Sequence, residues 1–324
     1  MQTDLPEIGI IRYPGAQMAA VLGLTDLFDV AARFARAKRA GDAGPILRVS
    51  HWDLAGEPER PTRIFDTGPD KGDAPSVLIL PPALGDPISP ETAARYADWL
   101  REQHRRGVVL SSVCAGALLL AASGVLAGRT VTTHWEYGDL LRARCPDVAR
   151  IETDRLLIDD GDVITAGGVM AWTDLGLKLI DRFFGPTIMM ETARHFLVDP
   201  PGREQRYYSV FSPRLTHGDA AVLKAQRWLQ AAEDPDTSLP VLAAKAGLEE
   251  RTFLRRFQKA TGLTSTEYCQ RLRISRAQER LQFSTLPVDR IACEVGYADP
   301  SAFRKVFTRI VGLTPNAFRR RFRA

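Results

Sequence analysis

The sequence predicts two domains of different class: an α/β layered, flavodoxin-like domain, and after it an all-α domain with two helix-turn-helix units. The chain has 324 residues, which is too long for one ordinary hydrophobic core. Strand-like and helix-like segments alternate up to residue 184, whereas only helical patterns follow residue 219. Residues 251–324 contain 16 Lys and Arg against 5 Asp and Glu, and the rest of the chain contains 27 against 34. This asymmetry is typical of a nucleic-acid-binding domain joined to another domain.

The first domain, residues 1–197, alternates short apolar runs with amphipathic ones. The predicted strands are Ile8–Ile11, Leu47–Val49, Val77–Leu80, Val108–Ser112, Thr130–Thr133 and Asp162–Thr165. The predicted helices are Leu22–Arg39, Pro90–His104, Ala117–Leu126 and Trp172–Phe184. This alternation favours a largely parallel sheet packed against helices.

Residues 198–218 are predicted to form a polar linker, because they contain three prolines and two glycines. The second domain, residues 219–324, begins at Asp219, whose side chain is expected to cap a helix over Ala220–Ala232. Further helices are predicted at Leu239–Ala246, Glu250–Thr261, Ser265–Gln282, Val288–Val295 and Pro300–Val311.

The second domain contains an internal repeat of a short helix, a turn with glycine and a second helix with two phenylalanines. These are Phe253 and Phe257 in one copy, and Phe303 and Phe307 in the other, and a spacing of four puts both rings on one helix face. The opposite faces carry the candidate DNA-binding residues Arg251, Arg255, Ser301, Arg304 and Lys305. Leu254 either contacts a thymine methyl or packs inside the domain. The pattern predicts two helix-turn-helix units.

A strand, a sharp turn and an apolar helix follow one another around Cys114. Such a turn predicts a strained, exposed elbow, where the helix N-terminus lowers the pKa of the thiol. His134 ends the next predicted strand, so a parallel sheet would bring it near Cys114. Asp26, in the first helix, is a candidate carboxylate for the same place.

Two resemblances follow from these motifs. Residues 237–322, with AGLEERTFLRRFQKATGL and VGYADPSAFRKVFTRIVGLTPNAFR, resemble the AraC/XylS family of DNA-binding domains. Residues 5–195, with the elbow and TAGGVMAWTD, resemble the ThiJ/PfpI-like branch of the class I glutamine amidotransferase fold. Together they resemble the GlxA-type regulators, which join these domains in this order. The resemblance implies a seven-helix DNA-binding domain, and an elbow pocket for an amino-acid-like or quaternary amine metabolite. The residues expected to line that pocket are Asp26, Ala83, Cys114, Ala115 and His134.

We therefore expect a sequence-specific transcription regulator controlled by a small-molecule effector. Its expected partners are double-stranded DNA and RNA polymerase, and its expected form is a homodimer. Two alternatives stay open. One is an amidase- or hydratase-like enzyme tethered to DNA, with Cys114 as nucleophile, His134 as base and the backbone N–H of Ala83 or Leu84 as oxyanion donor. The other is a regulator in which oxidation of Cys114 is the signal.

Composition excludes several other classes. The N-terminus has no signal-peptide pattern, and the charge-free stretch Gly107–Gly128 is interrupted by serines and glycines as a strand, turn and helix would be. The four cysteines, at 114, 145, 269 and 293, have neither metal-ligand spacing nor a disulfide framework. We expect a cytoplasmic protein that uses no cofactor, metal or membrane.

Overall fold

The computed structural model describes residues 5–39, 44–55, 60–68, 74–231 and 236–323. The chain divides into two units, Met1–Gln205 and Arg206–Ala324. The division falls inside residues 198–218, so the segment predicted to be a linker belongs in part to each unit.

The first unit contains nine strands among its described residues. They are β1 (Glu7–Arg12), β2 (Arg48–Ala55), β3 (Arg60–Asp66), β4 (Val77–Leu80), β5 (Val109–Val113), β6 (Thr130–Val131), β7 (Arg150–Ile151), β8 (Leu157–Asp159) and β9 (Val163–Ala166). Seven of them form one sheet with the order β3-β2-β1-β4-β5-β9-β8. The inner pairings are parallel, and only the edge strands β3 and β8 pair antiparallel. The predicted α/β fold with a largely parallel sheet is confirmed.

Six helices accompany this sheet in the described residues. They are α1 (Met18–Ala37), α2 (Pro90–Arg105), α3 (Gly116–Ala121), α4 (Gly138–Arg144), α5 (Trp172–Phe184) and α6 (Pro186–Phe196). Helices α1, α5 and α6 contact one another, and α3 contacts both α2 and α4, so the helices form two groups. Strands β4 and β9 are buried along their whole length, as expected for inner strands of a sheet that is covered on both faces.

One strand prediction fails in its position. Residues 130–133 were expected to form a strand beside β5, but β6 pairs with β7 in a separate two-stranded sheet. The neighbours of β5 in the large sheet are β4 and β9. The chain turns away from the large sheet at Thr132, whose backbone N–H donates to Oγ1 of Thr165 (2.9 Å) instead of extending a ladder.

The second unit is all-helical, with seven helices in its described residues. They are α7 (Ala220–Ala231), α8 (Leu239–Ala246), α9 (Glu250–Thr261), α10 (Ser265–Phe283), α11 (Val288–Glu294), α12 (Pro300–Val311) and α13 (Pro315–Phe322). Helix α7 begins as predicted, because the carboxylate of Asp219 accepts the backbone N–H of Val222 (3.1 Å). Phe253 and Phe257 are fully buried in one hydrophobic cluster of this unit. The repeat-related Phe303 and Phe307 are fully buried in another.

Candidate DNA-binding surface and ligand site

The first helix-turn-helix unit consists of α8 and α9, joined by a turn in which Gly247 adopts a left-handed conformation (φ 68°). Arg251, Leu254 and Arg255 are exposed on α9, opposite the buried phenylalanines. Leu254 is 41% exposed, so it does not pack inside the unit. Arg255 pairs with no residue that the structure describes. Two exposed guanidinium groups and one apolar side chain thus share the accessible face of α9.

The neighbouring residue, Arg256, has a different role. Its guanidinium donates two hydrogen bonds, of 2.7 and 2.8 Å, to the carboxylate of Asp219. That carboxylate also caps α7, and the guanidinium of Arg256 lowers its pKa. Arg256 therefore fixes α9 against α7, while Arg255 remains available.

The second helix-turn-helix unit consists of α11 and α12. The carboxylate of Asp299 accepts the backbone N–H groups of Ser301 (2.8 Å) and Ala302 (3.1 Å), which defines where α12 begins. The candidate residues Ser301, Arg304 and Lys305 are exposed on this helix. Arg304 is already paired, because its guanidinium donates to the carboxylate of Asp289 in α11.

The predicted elbow lies between β5 and α3, and its strain is confirmed. Cys114 has a φ of +54°, which is rare outside glycine, and its backbone N–H donates to the carbonyl of Ala166 in β9 (2.8 Å). The turn is very close to the end of β4. A Cβ on Gly116 would overlap the carbonyl oxygen of Leu80 and lie 2.8 Å from that of Pro81. Only glycine fits at that position.

The prediction of an exposed thiol with a lowered pKa is wrong. Cys114 is 1% exposed, and burial raises the pKa of its thiol to about 11. The backbone N–H of Ala115 acts in the opposite direction, but its effect is smaller than that of burial. Glu136 also raises this pKa, since a second negative charge nearby disfavours the thiolate. Hydrolytic and redox chemistry both need a thiolate, so this environment opposes both alternatives.

The structure does not assemble Cys114, His134 and Asp26 into a catalytic set. No hydrogen bond joins Cys114 to His134 among the described residues, and the imidazole instead accepts the backbone N–H of Glu136 on Nδ1 (3.3 Å). Burial lowers the pKa of His134. Asp26 is exposed on α1 and has no hydrogen bond or ion pair with any described residue.

Ala83 and Ala115 are both buried close to the chain segments that form the elbow. Ala83 forms an isolated bridge with Ala16, and Ala115 is fully buried next to Cys114. Neither side chain is exposed, so each could contribute to a pocket mainly through its backbone or its methyl group.

Several residues near the thiol were not identified from the sequence. Tyr13, Glu136 and Tyr137 all interact electrostatically with Cys114, and burial raises the pKa of both tyrosines. The hydroxyl of Thr133 donates to the carbonyl of Cys114 (2.8 Å), so it supports the strained backbone directly. The run Trp135-Glu136-Tyr137 could have pointed to Glu136 and Tyr137, because it places two aromatic residues and a carboxylate directly after His134.

No helix in the described part of the chain is long and apolar enough to span a bilayer. In the same residues, no group of three or more His, Cys, Asp or Glu side chains could hold a metal ion.

Comparison with known proteins identifies both units. Residues 242–321 match the model of a helix-turn-helix domain, and residues 68–182 match that of the DJ-1/PfpI family. The isonitrile hydratase of Pseudomonas putida is 30% identical over 183 residues, which cover 55% of this chain and 72% of the hydratase. The chain belongs to the DJ-1/PfpI family. Its C-terminal unit is a helix-turn-helix domain of the AraC type.

Two regulators align with most of this chain. The HTH-type transcriptional regulator GlxA of Rhizobium meliloti is 28% identical over 243 residues, which cover 74% of each chain. The HTH-type transcriptional regulator CdhR of Pseudomonas aeruginosa is 26% identical over 283 residues, which cover 86% of this chain and 79% of CdhR. The chain is accordingly a DNA-binding transcription regulator of the AraC type.

Proposed function

We propose that this regulator responds to a small nitrogenous metabolite, amino-acid-like or a quaternary amine, that binds beside the elbow of its DJ-1/PfpI unit. The observation that carries the proposal is the elbow itself. Cys114 keeps a costly backbone conformation although its thiol is buried and protonated. Strain of this kind is maintained at functional sites, and a buried thiol with a raised pKa favours binding over catalysis here. A binding role accounts for it.

The side chains beside the elbow favour a cationic ligand. The ring of His134 lies 4.0 Å from that of Trp135 and 5.7 Å from that of Tyr137, measured between ring centroids. Glu136 adds an exposed carboxylate, and the lowered pKa of His134 keeps its imidazole neutral at pH 7. Aromatic faces and a carboxylate attract ammonium groups, and quaternary amines are bound in this way. We assign Asp26, Ala83, Cys114, Ala115 and His134 to the same binding region.

We further propose that Arg251 and Arg255 read bases in one major-groove segment, and that Ser301, Arg304 and Lys305 read the next. Their exposure on the outer faces of α9 and α12 supports this assignment. Arginine and lysine recognise guanine in the major groove. We also infer that the working form is a homodimer, that it acts on RNA polymerase at promoters, and that it does so in the cytoplasm, where the DNA lies.

A thermal-shift series on the full-length chain tests the effector. The panel is amino acids, betaine and carnitine, with 3,3-dimethylbutanoate as a matched control that has the shape of betaine without its positive charge. A ligand at 100 times its Kd stabilises the folded state by about 2.7 kcal/mol. We expect an amine to raise the Tm of wild type, and a smaller shift in Glu136→Gln. An equal shift from the control that lacks the ammonium group, or no shift from any amine, would contradict the proposal.

A further inference from the structure

Residues 206–211, here called the strap, lie at the start of the second unit and contact residues that pack on the hydrophobic clusters of both helix-turn-helix units. At one end, the hydroxyl of Tyr208 accepts a hydrogen bond from Arg321 (2.8 Å), and its ring packs edge-on against Phe322 (centroids 5.3 Å). Both partners lie in α13, where Phe322 packs on the hydrophobic cluster of the second helix-turn-helix unit. Tyr207 lies against Gly312, the residue that ends α12, since a Cβ there would approach its ring to 2.7 Å. This end of the strap therefore contacts α13 and the glycine that caps the C-terminus of α12.

The other end of the strap packs on the hydrophobic cluster that contains Phe253 and Phe257 of the first helix-turn-helix unit. The ring of Phe211 meets the ring of Tyr268 edge-on (centroids 5.2 Å). Tyr268 in turn meets Phe257 of α9 edge-on at the same distance. The ring of Tyr268 thus connects Phe211 to Phe257 of α9. Helices α9 and α12, the second helices of the two helix-turn-helix units, are here called the recognition helices.

Between these two ends, the strap is held by the helix that joins the two units. The side-chain amide of Gln278 in α10 is 5% exposed and donates to the carbonyl of Ser209 (3.3 Å). The strap is therefore attached at three points, to α13, α10 and the cluster around α9. A segment attached to the elements that pack on both helix-turn-helix units restricts how far these units can move relative to each other.

The residue that precedes the strap is anchored in the first unit. Gln205 is 1% exposed, and its side-chain amide donates to the carbonyls of Thr133 (2.8 Å) and Arg155 (3.0 Å). The hydroxyl of Thr133 donates to the carbonyl of Cys114. Gly167 leaves room for this arrangement, since a Cβ there would overlap the amide of Gln205. Thr133 therefore connects Gln205, the residue before the strap, to the strained backbone of Cys114 through two hydrogen bonds.

We propose that the strap holds the two recognition helices at one separation, and that Gln205 makes this separation depend on the state of the elbow. The second clause rests on the proposed ligand site; the first does not. The strap gives the proposed effector a physical route to DNA binding, because a shift of the Cys114 backbone changes the position of Gln205, which is covalently bonded to Arg206. Tyr207, Tyr208, Phe211 and Gln278 are then positioning residues, which act on DNA through α9 and α12.

A matched pair of glycine substitutions tests the first clause. Gly262 and Gly312 end the two recognition helices with nearly the same backbone conformation (φ 76° and 81°). A Cβ on Gly262 meets nothing within 4 Å, whereas one on Gly312 lies 2.5 Å from Nε of Arg206 and 2.7 Å from the ring of Tyr207. Gly262→Ala and Gly312→Ala therefore introduce similar backbone strain, but only Gly312→Ala displaces the strap.

The probe is a duplex selected from random-sequence DNA with the wild-type, full-length chain, together with versions that have one or two base pairs inserted between its two recognised blocks. The readout is the ratio of the affinity for the parent duplex to that for the altered spacings, which a uniform loss of stability does not change. We expect wild type and Gly262→Ala to share one ratio, and Gly312→Ala to lower it about tenfold, within the range for residues in contact. Equal ratios for the two variants would overturn the proposal.

A double-mutant cycle on the same duplexes tests the link to the elbow without any effector. Thr133→Val removes the hydrogen bond to Cys114 at nearly constant side-chain volume. Gln205→Ala removes the hydrogen bonds that anchor the residue before the strap to Thr133 and Arg155. We expect Thr133→Val to change the spacing ratio in the wild-type background and to leave it unchanged in the Gln205→Ala background. A spacing ratio unaffected by Thr133→Val, or effects that simply multiply, would refute the link, whereas the thermal-shift series decides the ligand site separately. Circular dichroism melts verify that each variant is folded.

Discussion

Two adjacent arginines on α9 allow DNA recognition to be measured separately from the stability of the fold. Arg255 is exposed and has no partner among the described residues, whereas Arg256 makes the bidentate contact with Asp219. Arg255→Ala removes a group that can make two hydrogen bonds to guanine, which contributes ~1–3 kcal/mol of base discrimination. Since ~1.4 kcal/mol is a factor of ten in affinity, we expect specific binding to weaken about 5- to 150-fold.

Arg256→Ala should show the opposite profile. The pair with Asp219 is partly exposed, with 38% of the Arg256 side chain and 19% of the Asp219 side chain accessible. An ion pair of that exposure contributes ~0.2–1 kcal/mol, and the cap on α7 survives because Asp219 is kept. We expect the Tm of the second unit to fall by a few degrees, since ~1 kcal/mol corresponds to ~4–8 °C in a domain of this size.

The assay is a fluorescence-anisotropy titration of the full-length chain on the selected duplex and on a scrambled duplex, at several salt concentrations. Arg255→Ala should lose affinity for the selected duplex with little change on the scrambled one. An equal loss on both, with a shallower dependence on salt, would reassign Arg255 to a phosphate contact. A larger loss of specific binding in Arg256→Ala than in Arg255→Ala would show that the two roles are reversed.

Two further predictions concern the elbow. Gly116→Ala should destabilise the first unit by at least about 3 kcal/mol in urea unfolding, because its Cβ overlaps backbone atoms that cannot move away. Gly138→Ala is the control, because its Cβ would contact only a methyl group at 3.2 Å. Equal losses of unfolding free energy in the two variants would contradict the argument. Alkylation of Cys114 by iodoacetamide should stay slow at pH 8 and increase towards pH 11, with the exposed Cys293 as internal standard in peptide mass spectrometry. The unfolded thiol loses its proton near pH 9.0 and the folded one near 11, so stability should also fall across that interval. Rapid alkylation of Cys114 at pH 8 would show that burial does not control its pKa.

Local signals made much of the second unit predictable from the sequence. Helix α12 was predicted to the residue, because Asp299 and Pro300 mark its start and Gly312 marks its end. The burial of Phe303 and Phe307 also follows from a spacing that any helix would impose. Such features depend on a few neighbouring residues, so the sequence reveals them without the rest of the fold.

The environment of Cys114 was not predictable in the same way. Its strained backbone follows from the turn, but its pKa depends on how many distant groups exclude water from the thiol. Tyr13 follows β1 and Glu136 follows β6, so neither is near Cys114 in the sequence. Helix α3 was expected to control the thiol, yet its favourable N-terminus is outweighed by burial.

Features at the edges of the first unit were missed for related reasons. Strand β3 has the sequence RPTRIFD, without the apolar alternation of a half-buried strand, and it pairs only at the edge of the sheet. The polar, proline-containing segment around Gln205 resembled a free linker, because the buried carbonyls that hold Gln205 lie more than 40 residues away in the chain. Contacts of this range leave no local pattern.

The ion pair between Arg304 and Asp289 would have to break before Arg304 of α12 could contact a DNA base. In the free protein this guanidinium already has an anionic partner, so a DNA base must compete with a carboxylate rather than with water. A guanine offers two acceptors, so its hydrogen bonds to Arg304 can replace the lost ion pair with Asp289. A base that offers one acceptor cannot, and Arg304 then stays paired with Asp289. If Arg304 reads a base as proposed, we expect Asp289 to compete with the DNA, so that removing Asp289 would strengthen binding to all sequences and reduce the difference between them.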